Sequence, residues 1–559
     1  MPPVTLRPRR GVVWLFIALF ALIWFANLDY RKLIRTDEGR YAEIAREMAV
    51  SGDWITPRSN DFKYFYKPPL QYWATAAAFK VFGENEWTAR LWTALCGFAG
   101  VLITGLWSAR VWGAHIGFLS ALILAGSIMW TAMGHFAALD MSLAFFLAAA
   151  VAAFAAGQRD EATAGERRRL MLFGWAAAAL AVLSKGLIGI VLPGASLVVY
   201  ALWARDFRVF ARLEWLRGLA LFLVIAAPWF VAVSLANPEF AHYFFIHEHF
   251  ERFLTKVHGR YGPPWYFIPV LIAGLLPWTL FLGHVVRAGL VRTTKIFQPE
   301  RFLLVWVVTV FLFFSASSSK LVSYILPIFP ALAVLTALGL QRSSPRLRRW
   351  VWGIVALGGL AVALATPGYI AQREGFVPRE LLEQYSPWIV AAGIVVAIGG
   401  VLAFLLDRGD RLTSAVVAAA FAGLVGAQLA ISGHERLAPV FSAYDIAQKV
   451  APALAPDTPF FMVSMYDHTL PFYLRRTMTL VAVKDELEQA IAWEPEKFIP
   501  DMASFRIRWD AAPRAAAVMQ PDLFHELQAA GFPMIELARD LRRVIVAKPG
   551  DVEKPGQAP

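Results

Sequence analysis

The stretch RTDEGRYAEIAREM, residues 35–48, is a run of charged side chains set between two long apolar runs. The first apolar run ends near Leu28, only about nine residues before Asp37, so we expect Asp37 at the membrane surface. Charged residues at that depth are costly unless they face a polar cavity. The stretch therefore predicts a membrane protein with a functional site in the first large loop, residues 29–86.

The composition of the chain supports a polytopic membrane protein. Its 559 residues are 58% hydrophobic and 17% charged, with a mean hydropathy of +0.52, whereas soluble proteins have about a quarter of their residues charged. The net charge of +12 could indicate a nucleic-acid partner. Basic residues cluster in short loops between apolar runs, however, where they set membrane topology, so we expect no nucleic-acid binding.

The apolar runs predict thirteen membrane spans, near residues 11–28, 88–108, 114–133, 138–157, 171–184, 186–204, 218–235, 266–283, 302–317, 321–340, 351–368, 388–406 and 412–432. The first run is read as a retained anchor. Only Ser184-Lys185-Gly186 separates the fifth and sixth runs. Counting them as one span would move every later loop to the other side of the membrane, and the basic residues would then no longer be concentrated in the inside loops. The N-terminus is then inside and the C-terminus outside.

The outside surface is predicted to hold two large loops, 29–86 and 236–265, and a soluble domain of residues 433–559 that follows the membrane domain, residues 1–432. In the soluble domain, short apolar segments at 459–464, 479–483 and 541–547 indicate strands, and segments at 485–492 and 521–530 indicate helices. The sequence therefore predicts a mainly α membrane protein with a small α/β domain.

Three carboxylates are candidate catalytic groups. Asp37 and Glu38 open a predicted helix, and Asp140 follows a tight outside turn. Each can orient a substrate or act as a base, or each can merely cap a helix and favour its dipole. Glu43, Arg46 and Glu47 follow at helical spacing and predict an interfacial helix lying along the membrane surface.

Several outside cations and tyrosines form a second set of candidates. Outside lysines run against the topology signal, so they either reach lipid headgroups or converge on a bound phosphate. The candidates are Arg58, Tyr64, Lys67, Lys185, Lys320 and Tyr324.

The second large loop contains four of the ten histidines, in HYFFIHEHFERFLTKVHGR at 242–260. No HExxH spacing occurs in it, and a divalent cation held partly by His247 is one reading of the alternating histidine and glutamate residues. Arg252 and Arg260 are better read as phosphate clamps, because a guanidinium binds phosphate through two parallel hydrogen bonds.

Five stretches resemble the integral-membrane glycosyltransferases of the GT-C class that use polyprenyl-phosphate sugars, which include the protein O-mannosyltransferases. They are DEGRYAEIAREM (37–48), KPPLQYW (67–73), HEHFERFLTKVHGRYGPPWYFIP (247–269), SSSKLVSYILPIFP (317–330) and YDHTLPFYLRRTMTLV (466–481). The third and fifth are similar to the lipid A aminoarabinose transferases, the ArnT family, in particular.

The resemblance implies undecaprenyl-phosphate aminoarabinose as donor and a lipid A phosphate as acceptor, at the periplasmic face of the Gram-negative inner membrane. It implies Asp37, Glu38 and Asp140 as functional carboxylates, and Lys67, Arg252 and Lys320 with Tyr324 as donor-phosphate ligands. No nucleotide or organic cofactor is expected. A divalent cation, used by some enzymes of this class, would take His247 and Glu488. We expect a monomer whose partners are the two substrates and membrane lipids.

A phosphate acceptor is already an anion, so the expected step is displacement at the sugar C1 with inversion, and the carboxylates orient rather than abstract protons. Two alternatives stay open. One is a transferase of the same class with a protein or glycan acceptor. The other is a lipid or sugar transporter, which would place charges deep within its spans.

Overall fold

The structure is a computed structural model that describes residues 10–251, 262–291, 295–409 and 411–549. Its first half contains α1 (Arg10–Phe25), α2 (Asp37–Ser51), α3 (Leu70–Phe82), α4 (Glu86–Trp112), α5 (Ala114–Ala125), α6 (Ile128–Met133), α7 (Leu139–Gln158), α8 (Ala164–Lys185), α9 (Ile188–Ala204), α10 (Arg208–Ala211), α11 (Trp215–Ala236) and a π-helix (His242–Glu251). The helices that follow in the membrane domain are α12 (Phe267–Gly274), α13 (Leu282–Gly289), α14 (Pro299–Ala316), α15 (Phe329–Arg342), α16 (Pro345–Ala371), α17 (Arg379–Arg408) and α18 (Leu412–Gly433).

Every predicted apolar run coincides with a helix or a broken helix, so the polytopic α-helical architecture is confirmed. In the described ranges, eight helices are long and apolar enough to cross a membrane, and a ninth span results if the bent pair α12 and α13 counts as one. The helices α1, α5 and α9 are apolar but shorter, and α8 begins with a charged turn. The number thirteen therefore stays a prediction. The fifth and sixth runs are separate helices, α8 and α9, as predicted.

Two predicted spans are interrupted. The run 266–283 is not one continuous helix, because the segments Phe267–Gly274 and Thr279–Gly289 meet at 110°, around Pro277, which has no amide hydrogen to continue a helical ladder. The run 114–133 divides into α5 and α6 at Gly126-Ser127. A Cβ on Gly126 would lie 2.7 Å from the Cα of Ala420 in α18, so glycine permits the close approach of these helices.

The C-terminal part contains α19 (Ala438–Phe441), α20 (Tyr444–Val450), α21 (Leu470–Leu474), α22 (Glu488–Trp493), α23 (Met502–Ala511) and α24 (Pro521–Ala529). Its strands are β3 (Phe460–Val463), β4 (Thr479–Val481), β5 (Phe498–Ile499), β6 (Ala516–Met519), β7 (Ile535–Arg539) and β8 (Val544–Ala547), while β1 (Arg58–Ser59) and β2 (Phe62–Lys63) form a hairpin in the first loop. The sheet order is β5-β4-β3-β6-β8-β7. The first four strands pair in parallel, and β8 pairs antiparallel with both β6 and β7. The predicted α/β character is confirmed.

The C-terminal domain packs directly on the first loop. One apolar cluster contains side chains from α2 and α3 together with side chains from α20, α21 and the sheet, among them Tyr41, Tyr72, Ile446, Phe472 and Leu480. Burying such large apolar groups is the main favourable term in association of the two parts. The loop and the domain therefore form one layer above the membrane helices.

The helix predicted in the first loop is α2, and other parts of the protein cover it. Glu43, Arg46 and Glu47 of α2 are all buried. Arg46 donates two hydrogen bonds to Glu43, of 2.6 and 2.7 Å, and Glu47 accepts from the backbone amides of Asn60 and Asp61. The predicted helix is therefore present in the first loop, and Arg46 and Glu43, three residues apart on it, satisfy each other's charges.

Candidate active site

Asp37 is the first residue of α2, and its carboxylate is 43% exposed. Arg40, one turn later, donates to Asp37 Oδ1 over 3.3 Å. Asp37 is therefore paired with Arg40 while remaining accessible, which is the arrangement that an orienting carboxylate requires.

Glu38, the neighbouring carboxylate, is fully enclosed. Arg31 and Arg90 each donate two hydrogen bonds to it, between 2.7 and 3.0 Å long. The backbone amides of Ile34 and Ala137 donate two more. Burial alone would raise the pKa of Glu38, but the two guanidinium groups hold that pKa far below its usual range. The geometry gives Glu38 a positioning function rather than direct contact with a substrate.

Glu38 also links the segments that carry the other two candidates, Asp37 and Asp140. It begins α2 together with Asp37, and it binds the amide of Ala137, three residues before Asp140. Movement of either segment would break charge-assisted hydrogen bonds, which are about twice as strong as neutral ones. The first loop and the turn before α7 are thereby held in one arrangement.

Asp140 lies in the first turn of α7 and pairs with Lys185 at the end of α8. The Lys185 ammonium also lies 4.9 Å from the ring centre of Tyr324, within range of a cation–π interaction. Three residues predicted separately from three outside turns are thus brought together. A further anion bound here would compete with Asp140 for the ammonium group.

Lys67 lies next to the π-helix, and Tyr64 lies next to Arg40. Lys67 Nζ donates to Glu248 Oε2 over 3.0 Å and to the carbonyl of Tyr66 over 2.6 Å. The buried Tyr64 hydroxyl accepts from Arg40 over 3.4 Å, and burial raises the pKa of that hydroxyl well above its usual range. Tyr64 is therefore a neutral hydroxyl close to the group that holds Asp37.

The remaining cations are differently placed. Lys320 is buried and donates to the carbonyls of Phe314, Ser315 and Ser317, so it caps the end of α14. Arg58 forms an ion pair with Glu494 of the C-terminal domain, 3.0 Å long. Both therefore hold protein segments together in this structure. The predicted phosphate clamps Arg252 and Arg260 lie outside the described residues.

The candidate metal ligands do not form a ligand set in the described part of the chain. His247 stacks on Tyr243 with ring centres 5.0 Å apart, while Glu488 is 70% exposed and lies 3.9 Å from Lys484. The described residues contain no group of three or more His, Cys, Asp or Glu side chains placed to bind an ion. Structural zinc sites need four ligands and catalytic sites usually three, so these residues do not fit a metal centre.

Several residues of the site were not predicted. They are Arg31, Arg40, Arg90, Glu248, His468 and Glu486. Arg40 is the most informative, because it joins Asp37 to His468 and Glu486 of the C-terminal domain. The charge of Arg40 in an apolar chain could have marked it as a residue of the site. Its partners could not have been predicted, because they lie more than four hundred residues away in the sequence.

Comparison with known proteins agrees with this geometry. Residues 446–548 match the aminoarabinose transferase C-terminal domain, and residues 12–244 match the dolichyl-phosphate-mannose-protein mannosyltransferase family. Together with the many apolar helices and the α/β domain, these matches define an integral-membrane glycosyltransferase of the GT-C class.

Individual relatives give a narrower assignment. The chain is 30% identical over 396 residues to the undecaprenyl phosphate-alpha-4-amino-4-deoxy-L-arabinose arabinosyl transferase of Shewanella sediminis, covering 70% of this chain and 71% of that protein. It is 32% identical to transferase 1 of that name from Sodalis glossinidius, covering 72% and 73% of the two chains. The crystal structure of ArnT from Cupriavidus metallidurans bound to undecaprenyl phosphate superposes with a TM-score of 0.92 and 40% identity, over 97% of this chain and 98% of that one. The chain belongs to this family of aminoarabinose transferases, the ArnT family.

Proposed function

We propose that the protein transfers 4-amino-4-deoxy-L-arabinose from undecaprenyl phosphate to a phosphate of lipid A. The observation that carries the proposal is the likeness, over nearly the whole chain, to an ArnT bound to undecaprenyl phosphate, together with exposed Asp37 and the Asp140–Lys185 pair on one side of the helices. Attachment of an amino sugar to lipid A phosphates reduces their negative charge, which accounts for resistance to cationic peptides such as polymyxin.

In the proposed reaction, an oxygen of the acceptor phosphate attacks C1 of the sugar as the bond from C1 to the donor phosphate oxygen breaks. Undecaprenyl phosphate leaves with the electron pair of that bond, and the configuration at C1 inverts. The acceptor is already ionised, so no strong base is required. The main obstacle is repulsion between two phosphates, and preorganised cations lower that barrier.

The exposure of each side chain and its bonding partners indicate its role in the proposed reaction. Lys67 and Lys185 are 19% and 14% exposed, so each ammonium group can exchange its carboxylate partner for a substrate phosphate. Asp37 and Asp140 orient the sugar amine and the acceptor. Tyr64 and Tyr324 offer a hydroxyl and an aromatic face beside these groups. Arg252 and Arg260 are proposed as additional phosphate ligands on the strength of their chemistry.

Orientation and assembly are part of the proposal. Basic loops place the opposite ends of the spans in the cytoplasm, which puts α2, the π-helix and the C-terminal domain in the periplasm of a Gram-negative inner membrane. The enzyme is proposed to act as a monomer, because one chain supplies all the candidate groups. The described residues do not fit a metal ion, and the proposed reaction uses none.

Mass spectrometry of lipid A tests the proposal. The chain is expressed in a strain that lacks its own aminoarabinose transferase but makes the lipid-linked sugar. The expected result is lipid A carrying aminoarabinose on phosphate, with no modification by the D37N variant. Unmodified lipid A, despite normal protein levels and donor supply, would contradict the proposed acceptor. Modification of a protein or glycan instead would assign a different transferase of the same class.

A further inference from the structure

We propose that the C-terminal domain supplies two positioning residues, Glu486 and His468, which set the orientation of Asp37 through Arg40. The inference rests on the proposed function, because Asp37 is taken there as the orienting carboxylate. It gives the domain a part in transfer beyond covering the loop.

Arg40 is the connecting group. Its side chain is 6% exposed, and its two terminal nitrogens face different partners. Nη2 donates to Glu486 Oε2 over 2.5 Å and lies 3.4 Å from His468 Nε2. Nη1 donates to Asp37 Oδ1 over 3.3 Å. Since a guanidinium is planar and rigid, fixing Nη2 determines where Nη1 points.

Glu486 is the stronger of the two anchors. Its second oxygen, Oε1, lies 3.0 Å from His468 Nε2, and the hydroxyl of Tyr66 donates to its backbone carbonyl. Burial opposes ionisation, but the hydrogen bond from His468 and the charge of Arg40 lower the pKa of Glu486. The carboxylate is therefore a fixed anion that holds one side of Arg40.

The turn that carries His468 is itself immobilised. Asp467, fully buried, accepts from the amides of Thr469 and Leu470 and forms a 2.9 Å ion pair with Arg543. Backbone contact completes the docking, because a Cβ on Gly39 would lie 2.5 Å from the carbonyl oxygen of His468. The domain thus meets the first turn of α2 without space for adjustment.

The arrangement divides one guanidinium between two carboxylates. Glu486 takes the shorter bond, and Asp37 keeps a longer bond and a 43% exposed carboxylate. Without the charge of Glu486, Arg40 would be free to form a two-point ion pair with Asp37, the geometry that arginine and carboxylate prefer. Asp37 would then be withdrawn from the substrate, and transfer would slow although donor binding would persist.

The test uses the full-length enzyme and the variants E486Q, D37N and the double variant. We expect E486Q to lower kcat about 10- to 100-fold, the range associated with small misplacements of a reacting group, while the KM for the lipid-linked donor changes little. E486D should restore part of the activity. In the D37N background, E486Q should not lower kcat any further, because the effect of Glu486 on transfer passes through Asp37.

The matched control is E536Q, which removes an exposed ion pair with Arg539 in the same domain and should leave kcat unchanged. Normal kcat in E486Q, with D37N inactive, would overturn the inference and leave the proposed function standing. An equal loss in E486Q with and without Asp37 would overturn it too. Full turnover by D37N would remove the role given to Asp37 and overturn the inference as well, whereas unmodified lipid A with the wild-type enzyme would contradict the proposed function. If E486Q does not fold, the kcat of H468Q is measured in its place. A fall in kcat smaller than the one expected for E486Q supports the inference, and an unchanged kcat overturns it.

Discussion

The ammonium group of Lys185 donates directly to Asp140, joining the end of α8 to the start of α7 by a charged hydrogen bond. Both side chains are only slightly exposed, at 14% and 10%. Such a pair is costly to separate in a partly buried site unless another anion replaces the lost partner. A substrate phosphate can do so, and its arrival would release Asp140 to bind the acceptor or the sugar amine.

This relationship predicts different consequences for the two partners. K185A should weaken undecaprenyl phosphate binding about tenfold or more, because one charge-assisted hydrogen bond to phosphate is lost. D140N should lower kcat more than binding. The loss of binding and of kcat in the double variant should be smaller than the combined losses of the two single variants, since the two residues interact. Binding titrations and a transfer assay on purified protein measure both quantities, and strictly additive effects would show that the pair does not act as a unit.

Asp37→Asn should abolish most turnover, by about 100-fold or more, and leave undecaprenyl phosphate binding intact. The amide keeps the size of the side chain but cannot hold a cationic amine by charge. The control is D510N, which breaks an exposed ion pair with Arg506 far along the chain. A D37N enzyme with near-normal turnover would make Asp37 a structural residue.

Glu38→Ala should be strongly destabilising, by about 3–5 kcal/mol in the free energy of unfolding, because it leaves Arg31 and Arg90 buried without their anion. Thermal unfolding in detergent measures the loss as a lower Tm. The exposed pair of Arg379 and Glu383 provides the comparison, since breaking it with E383Q should cost about 1 kcal/mol or less. Equal shifts in the two variants would contradict the central position given to Glu38.

Glu47 should make stability depend on pH. Burial and the nearby charge of Glu43 raise its pKa well above the usual range, so the folded protein holds a proton there that the unfolded chain releases near pH 4–5. Its contribution is therefore complete at low pH and is lost as pH rises through the raised pKa. The Tm of wild type relative to E47Q should fall between pH 5 and pH 9; a constant difference would contradict this.

Gly39→Ala should loosen the docking of the C-terminal domain. An added Cβ would meet the carbonyl of His468 at 2.5 Å and the side chain of Thr469 at 2.6 Å, and backbone cannot yield as a flexible side chain does. We expect lower activity and faster proteolysis of the domain. Gly165→Ala is the control, because nothing lies within 4 Å of a Cβ there. Unchanged activity and proteolysis in G39A would show that the contact between Gly39 and the C-terminal domain can accommodate an added methyl group.

Hydropathy predicted most of the fold, because membrane spans depend on composition over about 20 residues. The bend around Pro277 was missed, since an apolar run reads the same whether it is straight or broken. In the soluble domain, β3, β4 and β8 were recognised. The strand β5 has only two residues, and β6, Ala516–Met519, begins with two alanines, a residue type depleted in strands. Such strands are specified by their neighbours in the sheet.

The site was predictable in part. Asp140, Lys185 and Tyr324 were selected because charges or aromatic groups beside apolar runs require a reason, and they do converge. Glu38 was expected among the catalytic carboxylates, but its partners Arg31 and Arg90 enclose it. No local pattern distinguishes an enclosed carboxylate from its exposed neighbour, because the difference arises from contacts distant in sequence.

Because the C-terminal domain covers α2, the surroundings of Asp37 are completed only after that domain has been synthesised. A ribosome adds residue 40 long before residues 468 and 486, so Arg40 waits without its anchors until nearly the whole chain has been made. If those anchors set Asp37, activity is the last property that the nascent protein acquires. A prematurely terminated product left in the bilayer would then lack the contacts that set Asp37 and would transfer sugar more slowly than the complete enzyme.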